Sequence, residues 1–526
     1  MSELQPNKPD IIFNDGTDYR SLALYFIAIM LLLRCITAIA LGLGIDESYT
    51  VAVARFPSLS YFDHPPLTFW LVHWTALLFG SEAPIVLRLP FLILFTASSW
   101  LLFRLTDTLF NTRAAFWAVA LFSIAPFFHL SAGTWIVPDG PLIFTTLLAA
   151  NIFVRIVTSE EPNESWLLWL LCGSVIGLAL LSKYQAFLFG FGMFVFLLSN
   201  PRGRQILTGL PVYVAGLISF VWFLPVAIWN FDHGWQSFAF QSGRAANLDT
   251  LTMLQRITNV LVMLGGQVLY LLPGTFLLAL YGLGGALKSG PSHPRRWYLL
   301  CLALSPLLIF NGLAPFTQNS LPHWPMLGYV FAFPLVGGVI DHLWRRFAGR
   351  IKWSFYVGCG FILLMQTAGL IQFNTGMLTR GITLFPSEWD QTAYNLNWFN
   401  LRDKIAKYAK PDGGNVAVFA KSWIEAGKID YALGGTVPVL VFGADKRHFA
   451  YNRDASDYFD KKAIFVSVEE IGTGQDVAKA EILAHNVLQC ELVELQYLET
   501  VTLFRGGEPH IEFVLFEGAF SPTCSK

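Results

Sequence analysis

The chain has 526 residues, of which 54% are hydrophobic and only 13% are charged. Soluble proteins carry about 25% charged residues, so this composition excludes an ordinary soluble protein and predicts an α-helical polytopic membrane protein. The net charge of −1 comes without a basic stripe, which argues against a nucleic-acid partner. The six cysteines are scattered and form no CxxC pair, so they indicate neither a metal site nor a redox motif.

Apolar segments recur throughout the first 373 residues of the sequence. A helix needs about 20 apolar residues to cross a bilayer, and we predict about eleven transmembrane helices on that basis. The predicted segments are 22–43, 84–103, 114–131, 140–157, 166–181, 184–199, 206–229, 257–286, 297–314, 325–344 and 353–373. The apolar run 67–79 is too short to span, so we expect it to lie in the membrane plane or to re-enter the membrane.

Positively charged residues are distributed unevenly between alternate loops of this arrangement. One set of loops carries Lys8, Arg20, Arg104, Arg113, Arg155, Arg202, Arg204, Lys288, Arg295, Arg296, Arg345, Arg346, Arg350 and Lys352. The other set carries only Arg55, Arg88, Lys183, Arg244 and Arg256. Because cytoplasmic loops are the richer in lysine and arginine, we expect a cytoplasmic N-terminus and a C-terminal region outside the cytoplasm.

The composition changes near residue 374, where the long apolar segments end. Short β-type runs, helix-like stretches and a final alternating stretch follow, at 416–419, 437–442 and 463–468, at 423–433 and 475–483, and at 491–516. We therefore predict a transmembrane domain at 1–373 and an extracytoplasmic α/β domain at 374–526. The second domain carries no evident catalytic motif, so a lid or specificity role and a structural or assembly role both stay open. Cys490 and Cys524 could pair there.

The loop at residues 46–66 concentrates ionisable residues directly after the first span. It carries Asp46-Glu47 and Asp63-His64, and it ends at Pro65-Pro66, where a helix cannot simply continue. Carboxylates are costly to bury in a membrane, so these groups lie either in water or in a polar cavity. A solvated loop is the structural interpretation, and a catalytic centre is the functional one.

Further polar residues fall on the same predicted outer face. They are Tyr61, Asp63, His64, Arg88, Asp139, Lys183, Arg244 and His323. Some also have structural interpretations: Asp139 could cap its helix, and Lys183 could extend its ammonium to the membrane boundary. His323 could be an interfacial histidine, and Arg244 an ordinary surface residue. Together, however, these residues bring acids and cations to the outer face, where the positive-inside rule predicts few cations.

Such a set of residues suits the transfer of a group from a lipid phosphate. A carboxylate can act as general base toward a substrate hydroxyl. A lysine, arginine or histidine can stabilise a phosphate that accumulates charge as it leaves. The surrounding apolar helices can hold a lipid chain, so the residues themselves favour a lipid-phosphate transferase at the outer face.

Several motifs occur in a fixed order along the membrane part. They are Asp46-Glu47 after the first span, then YFDHPP, RLP, PDGP, LSK and LPHWP, at residues 61–66, 88–90, 138–141, 181–183 and 321–325. This combination resembles the GT-C type glycosyltransferases that use polyprenyl-phosphate-linked sugars. That superfamily includes the dolichyl-phosphate-mannose protein mannosyltransferases and the bacterial transferases that add aminoarabinose or galacturonic acid to lipid A or its core.

The resemblance implies roles for the matching residues. Asp46 matches the catalytic carboxylate of the family, with Glu47 as the neighbouring catalytic candidate. Asp139 matches a second acid near the site, and Lys183 matches a lysine that meets the donor phosphate. The remaining outer-face residues are then candidates for substrate binding.

Two positions depart from the aminoarabinose transferases. His64 stands where those enzymes usually carry a lysine, and Tyr49 stands where they place an arginine near the acid pair. The Trp-Trp-Asp type motif of the oligosaccharyltransferase relatives is also missing from the sequence.

The resemblance implies an inverting enzyme at the periplasmic face of the bacterial inner membrane. Its expected partners are a polyprenyl-phosphate sugar donor, a lipid-linked or envelope glycan acceptor such as lipid A, and membrane lipids. No cofactor is certain, and the sequence allows a divalent metal without indicating one.

Two alternatives to this function stay open. One is a protein O-mannosyltransferase, and the other is a secondary transporter or flippase, a class that usually shows a repeated half.

Overall fold

The computed structural model of the chain describes residues 16–243, 251–317, 321–380, 390–408, 416–443, 445–458, 461–470 and 492–520. These residues form two compact units. Unit one comprises the described residues of Met1–Ile36, Leu59–Thr68 and Arg88–Leu364, and unit two those of Thr37–Ser58, Phe69–Leu87 and Met365–Lys526. The predicted border between domains at residues 373 and 374 stays a prediction.

Helices dominate the first 380 residues. In chain order they are α1 Tyr19–Ala40, α2 Ile45–Ala54, α3 Leu67–Phe79, α4 Pro84–Leu109, α5 Thr112–Ile124, α6 Asp139–Thr158, α7 Trp166–Ser182, α8 Ala186–Ser199, α9 Pro201–Ile206, α10 Leu210–Asp232, α11 Gln236–Gly243, α12 Met253–Leu271, α13 Pro273–Ser289, α14 Pro294–Leu313, α15 Met326–Thr375 and α16 Met377–Arg380. A π-helical turn at Phe127–Ser131 and a short helical turn at Ala132–Thr134 lie between α5 and α6.

Breaks in these helices occur where the backbone leaves helical geometry. The α5 helix and the segment Phe127–Thr134 are bent by 78°, and α12 and α13 are bent by 105°. The second bend lies at Leu272, whose φ is 67°, directly before a proline that cannot donate an amide hydrogen bond. A non-helical Phe347 divides α15 into the two segments that the sequence predicts as separate spans.

The apolar helices confirm a multi-pass membrane protein. Within the described residues, six helices are long and apolar enough to cross a membrane, and the number rises to eight if each bent pair forms one span. The α7 and α8 helices are apolar but shorter. Each segment predicted to span coincides with a helix, a bent pair or one half of α15. The number of crossings itself stays a prediction.

Close packing joins α7 and α10 inside unit one. A Cβ atom at Gly173 would lie 2.4 Å from the carbonyl oxygen of Ala215, so only glycine permits this approach. The Ser219 hydroxyl then donates a hydrogen bond of 2.9 Å to the Gly173 carbonyl. Small residues and hydroxyl groups at a helix contact are the usual means of association in a membrane, where apolar burial gives little driving force.

The α/β part of unit two contains a mixed five-stranded sheet. Its strands are β1 Val416–Ala420, β2 Val439–Val441, β3 Lys462–Glu470, β4 Leu492–Arg505 and β5 Glu508–Phe520, in the order β2-β1-β3-β5-β4. The β1 strand runs parallel to β2 and β3, whereas β5 is antiparallel to β3 and β4. The helices of this part are α17 Asn400–Ala406, α18 Trp423–Leu433 and α19 Phe449–Asn452.

The sheet confirms the predicted α/β class, and its strands coincide with the short β-type runs and the final alternating stretch of the sequence. All five residues of β1 are buried, as a central parallel strand covered on both faces requires. The expected helix at 423–433 is α18, which begins after Ser422 and ends at Gly434 in a left-handed conformation. The expected helix at 475–483, together with Cys490 and Cys524, lies outside the described residues.

Candidate functional site

A buried ion pair joins two of the predicted site residues in unit one. The Lys183 ammonium nitrogen lies 2.9 and 3.0 Å from the two carboxylate oxygens of Asp139. Both residues are largely buried, with exposed fractions of 8% and 9%. Charges removed from water are stable only when paired and hydrogen-bonded, and this pair meets that requirement. Lys183 therefore binds a buried carboxylate.

Local sequence places each member of the pair at a helix end. Asp139 follows Pro138 and is the first residue of α6, where a negative charge is favourable to the helix dipole. Its side chain binds the Lys183 ammonium through both carboxylate oxygens. Lys183 directly follows α7 in an extended conformation, at the end of a helix that favours a cation. The macrodipoles of two helices thus support the same ion pair.

Two histidines act on the same carboxylate. His64 and His323 both interact electrostatically with the Asp139 carboxylate. The His323 ring is stacked on Phe127, in the π-helical turn before α6, with ring centroids 6.1 Å apart. Unit one therefore combines a lysine ammonium bound to the Asp139 carboxylate with two histidines within electrostatic range of that carboxylate.

The loop that carries His64 is held by α11. The Ser237 hydroxyl donates to the carbonyl of Tyr61 at 3.0 Å. The Gln241 side chain donates to the carbonyl of Asp63 at 2.7 Å. The buried Asp63 carboxylate lies 4.0 Å from the His64 imidazole. The backbone of the loop is therefore held in place by two side chains of α11.

Two predicted binding residues remain to be placed. Arg88 is completely buried in α4, within unit one. Arg244 lies outside the described residues, directly after α11.

The acid pair of unit two divides into one exposed and one buried residue. Asp46 and Glu47 both lie in the first turn of α2. The Glu47 side chain is buried and accepts a hydrogen bond of 2.8 Å from the backbone amide of Gly44, so it caps the helix. The Asp46 side chain is exposed, and its backbone carbonyl accepts a hydrogen bond from Thr50. Of the two, Asp46 has the side chain that a substrate can reach.

Sequence reasoning missed a charged group inside the first span. Arg34 is almost fully buried in α1, its guanidinium lies 4.4 Å from the Phe95 ring centroid, and it donates to the carbonyl of Ser123. A Cβ atom at Gly133 would lie 2.8 Å from its Nε atom, so the guanidinium occupies space next to the segment that leads to α6. An arginine within an apolar run is the signal that identifies such a residue, because buried membrane charges are rare.

Sequence reasoning also missed the charged residues that link α2 to α18 in unit two. The Arg55 guanidinium pairs with Glu82 at 2.5 Å and also with Asp430. The buried Lys428 ammonium donates to the carbonyls of Leu43, Tyr394 and Leu396. These residues carry no sequence motif, so only the folded chain identifies them.

The described parts of the chain contain no cluster of side chains suited to binding a metal ion. No group of three or more His, Cys, Asp or Glu side chains there is arranged to hold a metal ion.

Comparison with known families gives one match in the membrane part. The profile of the family described as "Dolichyl-phosphate-mannose-protein mannosyltransferase" matches residues 63–229. This range includes Asp63, His64, Arg88, Asp139 and Lys183. No curated protein sequence matches the chain.

Solved structures give a match over nearly the whole chain. ArnT from Cupriavidus metallidurans in the apo state has a TM-score of 0.62 at 15% identity, over 94% of this chain and 98% of that one. The same protein bound to undecaprenyl phosphate has a TM-score of 0.60 at 14% identity, with the same coverage. The Archaeoglobus fulgidus oligosaccharyltransferase tethered to an acceptor peptide has a TM-score of 0.47 at 14% identity, over 91% of this chain and 73% of that one.

Proposed function

The chain is a multi-pass membrane protein with the GT-C glycosyltransferase fold, and from this premise we propose that it transfers a sugar from a polyprenyl-phosphate donor to an acceptor in the cell envelope. The donor class is supported by the undecaprenyl phosphate bound to the similar ArnT structure. The proposed acceptor is a lipid-linked saccharide or envelope glycan of the lipid A type. The proposed location is the periplasmic face of the bacterial inner membrane.

The observation that carries this proposal is the Asp139–Lys183 pair with its two histidines. The buried Lys183 ammonium can donate N–H bonds to phosphate oxygens, and the half-buried imidazoles of His64 and His323 can add further donors. Asp139 balances the lysine charge while no phosphate is bound, since an unpaired buried ammonium would be costly. When a phosphate binds, Lys183 can donate to it while it keeps one bond to Asp139.

The proposed reaction is a single displacement at the anomeric carbon. The acceptor hydroxyl oxygen forms the new bond to that carbon as its proton passes to the Asp46 carboxylate. The bond between the anomeric carbon and the phosphate oxygen breaks, and its electron pair stays on the polyprenyl phosphate. Lys183, His64 and His323 stabilise the charge that develops on the leaving phosphate. The configuration at the anomeric carbon inverts.

Donor binding can be measured before the sugar is identified. Purified protein in nanodiscs should bind undecaprenyl phosphate, and Lys183→Ala should weaken the affinity about tenfold to a hundredfold, as expected for losing a hydrogen bond to a charged group. Lys288→Ala removes an exposed lysine at the end of α13 and serves as the matched control. Equal affinities for wild type and Lys183→Ala would show that Lys183 does not bind the donor phosphate.

Transfer itself is tested with a donor panel. Undecaprenyl-phosphate-linked aminoarabinose, galacturonic acid and mannose are offered with lipid A as acceptor, and mass spectrometry detects the product. We expect one donor to give a glycosylated lipid A, and envelope lipids from a deletion strain to lack the same modification. Failure of every donor with lipid A would overturn the proposed acceptor.

A protein acceptor is the second candidate, and the match of residues 63–229 to the protein mannosyltransferase family favours it. The same donor panel with serine- and threonine-containing peptides distinguishes the two functions. Mannose on a peptide, with unmodified lipid A, would establish protein O-mannosylation instead.

The proposed periplasmic location is tested by cysteine labelling. In a background with Cys490 and Cys524 replaced by serine, Ser456→Cys places a thiol at an exposed position of unit two. An impermeant maleimide should label it from the periplasm of intact cells. The exposed Ser292→Cys, before α14, should react only after the inner membrane is opened. The opposite pattern would reverse the topology.

A further inference from the structure

One helix of the α/β part binds the helix of Asp46 at both ends. At the start of α2, Lys428 donates a hydrogen bond of 2.9 Å to the carbonyl of Leu43, directly before the Gly44 cap. The same ammonium donates to the carbonyls of Tyr394 and Leu396 at 3.1 and 2.6 Å. Three charge-assisted bonds satisfy all three protons of this buried cation. The position of the α2 start therefore depends on α18.

The end of α2 is bound by the same helix. Arg55 directly follows α2, and its guanidinium forms ion pairs with Asp430 of α18 and with Glu82. The Tyr431 hydroxyl of α18 also donates to the carbonyl of Glu82 at 3.1 Å. Asp430 is buried and Arg55 is largely so, and removing one partner of a buried ion pair is strongly destabilising.

Between the two ends the helices are in backbone contact. A Cβ atom at Gly427 would lie 2.8 Å from both the nitrogen and the Cα of Tyr49, so α18 approaches α2 as closely as two backbones can. The Tyr49 ring packs edge-on against Trp423, with centroids 5.2 Å apart. Trp423, Gly427, Asp430 and Tyr431 follow the spacing i, i+4, i+7 and i+8, which places them on one face of α18.

We propose that α18 is the support that holds the catalytic carboxylate, with Lys428 and Asp430 as positioning residues that act through Asp46. This inference rests on the proposed role of Asp46 as general base. A base must lie within hydrogen-bond distance of the proton that it removes. A shift of about 1 Å in such a group costs about a hundredfold in rate. The α/β part thus contributes to catalysis without touching the substrate.

The first test compares turnover with donor binding. Lys428→Met keeps the length of the side chain and removes the three hydrogen bonds, and Lys421→Met, at an exposed position before α18, is the matched control. We expect kcat to fall at least about tenfold in Lys428→Met, because the base is displaced. The affinity for undecaprenyl phosphate should stay within twofold of wild type. Asp430→Asn, a milder change, should lower kcat in the same direction if Lys428→Met fails to fold.

The second test asks whether Lys428 acts through Asp46. If it does, the double variant Asp46→Asn/Lys428→Met should be no slower than Asp46→Asn alone, because a base that has been removed cannot be displaced further. A residue with a merely structural role would instead slow both backgrounds by the same factor. Amide hydrogen exchange gives an independent measure, and exchange in peptides covering α2 should be faster in Lys428→Met than in Lys421→Met.

The outcomes separate this inference from the proposed function. Full activity of Asp46→Asn would remove the general base and this inference with it. Loss of activity in Asp46→Asn, with wild-type kcat in folded Lys428→Met and Asp430→Asn, would overturn the positioning role alone. Equal slowing in both backgrounds of the double-variant test would also overturn it.

Discussion

Asp139 and Asp46 both lie in the first turn of a helix, but their side chains meet different surroundings. The Asp139 carboxylate is buried and both its oxygens bind the Lys183 ammonium. The Asp46 carboxylate is exposed, while its neighbour Glu47 is buried and caps the helix. The helix dipole favours an acid at both positions. The difference therefore lies in the side-chain partners, and it suits one acid to binding a charge and the other to accepting a proton.

Replacing Asp46 is expected to have the largest effect on turnover. Asp46→Asn keeps the size of the side chain but removes the base, so turnover should fall by about 10²–10⁴-fold, the usual contribution of general-base catalysis. Stability in detergent should change little because the side chain is exposed. The measurement is sugar transfer by purified variants, with the exposed Asp457→Asn as matched control. Wild-type turnover in Asp46→Asn would refute the role of Asp46 as base.

The buried pair of unit one should affect stability as well as binding. Lys183→Ala leaves the Asp139 carboxylate buried without its cation, and breaking a buried pair in this way costs about 3–5 kcal/mol. The double variant Lys183→Met/Asp139→Asn removes both charges and should recover most of that loss. Thermal unfolding in detergent measures both changes. If the double variant is as unstable as Lys183→Ala, the ion pair is not the source of the effect.

These two acids also show how far the sequence could predict the site. Asp139 and Lys183 are 44 residues apart, and their motifs at helix ends on one predicted face were sufficient to predict that they converge. The role of Glu47 as a cap could not be separated from that of Asp46, because adjacent acids give the same pattern in a sequence. Only the helix register shows which of them points to solvent.

The fold shows the same contrast between local and long-range information. Hydropathy was sufficient to predict the apolar helices, and short β-type runs with one alternating stretch were sufficient to predict the strands. Both patterns extend over only a few helical turns or residues of the sequence. The contact of Lys428 with Leu43 spans 385 positions. Lys428 lies in a helix whose sequence gives no sign of a distant carbonyl, so the link between α2 and α18 required the folded chain.

The next largest expected effect is that the stability of the folded protein depends on pH, because the Asp430 carboxyl titrates. Burial raises the pKa of this carboxyl from 3.8 to about 6, although Arg55 and Arg453 lower it, and Glu82 adds to the increase. The folded state keeps the Asp430 proton up to about pH 6, whereas the unfolded state releases it near pH 3.8. The preference of the folded state for protonated Asp430 therefore contributes fully to the free energy of unfolding below pH 3.8, and this contribution is lost as the pH rises to 6.

This contribution is measured as a difference between variants. Asp430→Asn cannot titrate, so its Tm in detergent should depend less on pH between 4 and 6 than that of wild type. Other titrating groups cancel in the comparison. Asp445→Asn, at an exposed position beside Arg447, should follow wild type. Identical pH profiles for wild type and Asp430→Asn would show that the Asp430 carboxyl titrates alike in the folded and unfolded states.

The smallest expected effect separates the two neighbouring acids of α2. The Glu47 oxygen that accepts the Gly44 amide is available in glutamine too, so Glu47→Gln should keep the cap and transfer sugar within about threefold of wild type. Glu47→Ala removes the cap, which typically costs about 1 kcal/mol of stability. Tm and turnover are measured on the same preparations. Abolished transfer in Glu47→Gln at an unchanged Tm would move the general base from Asp46 to Glu47, because only the charge differs between the two side chains.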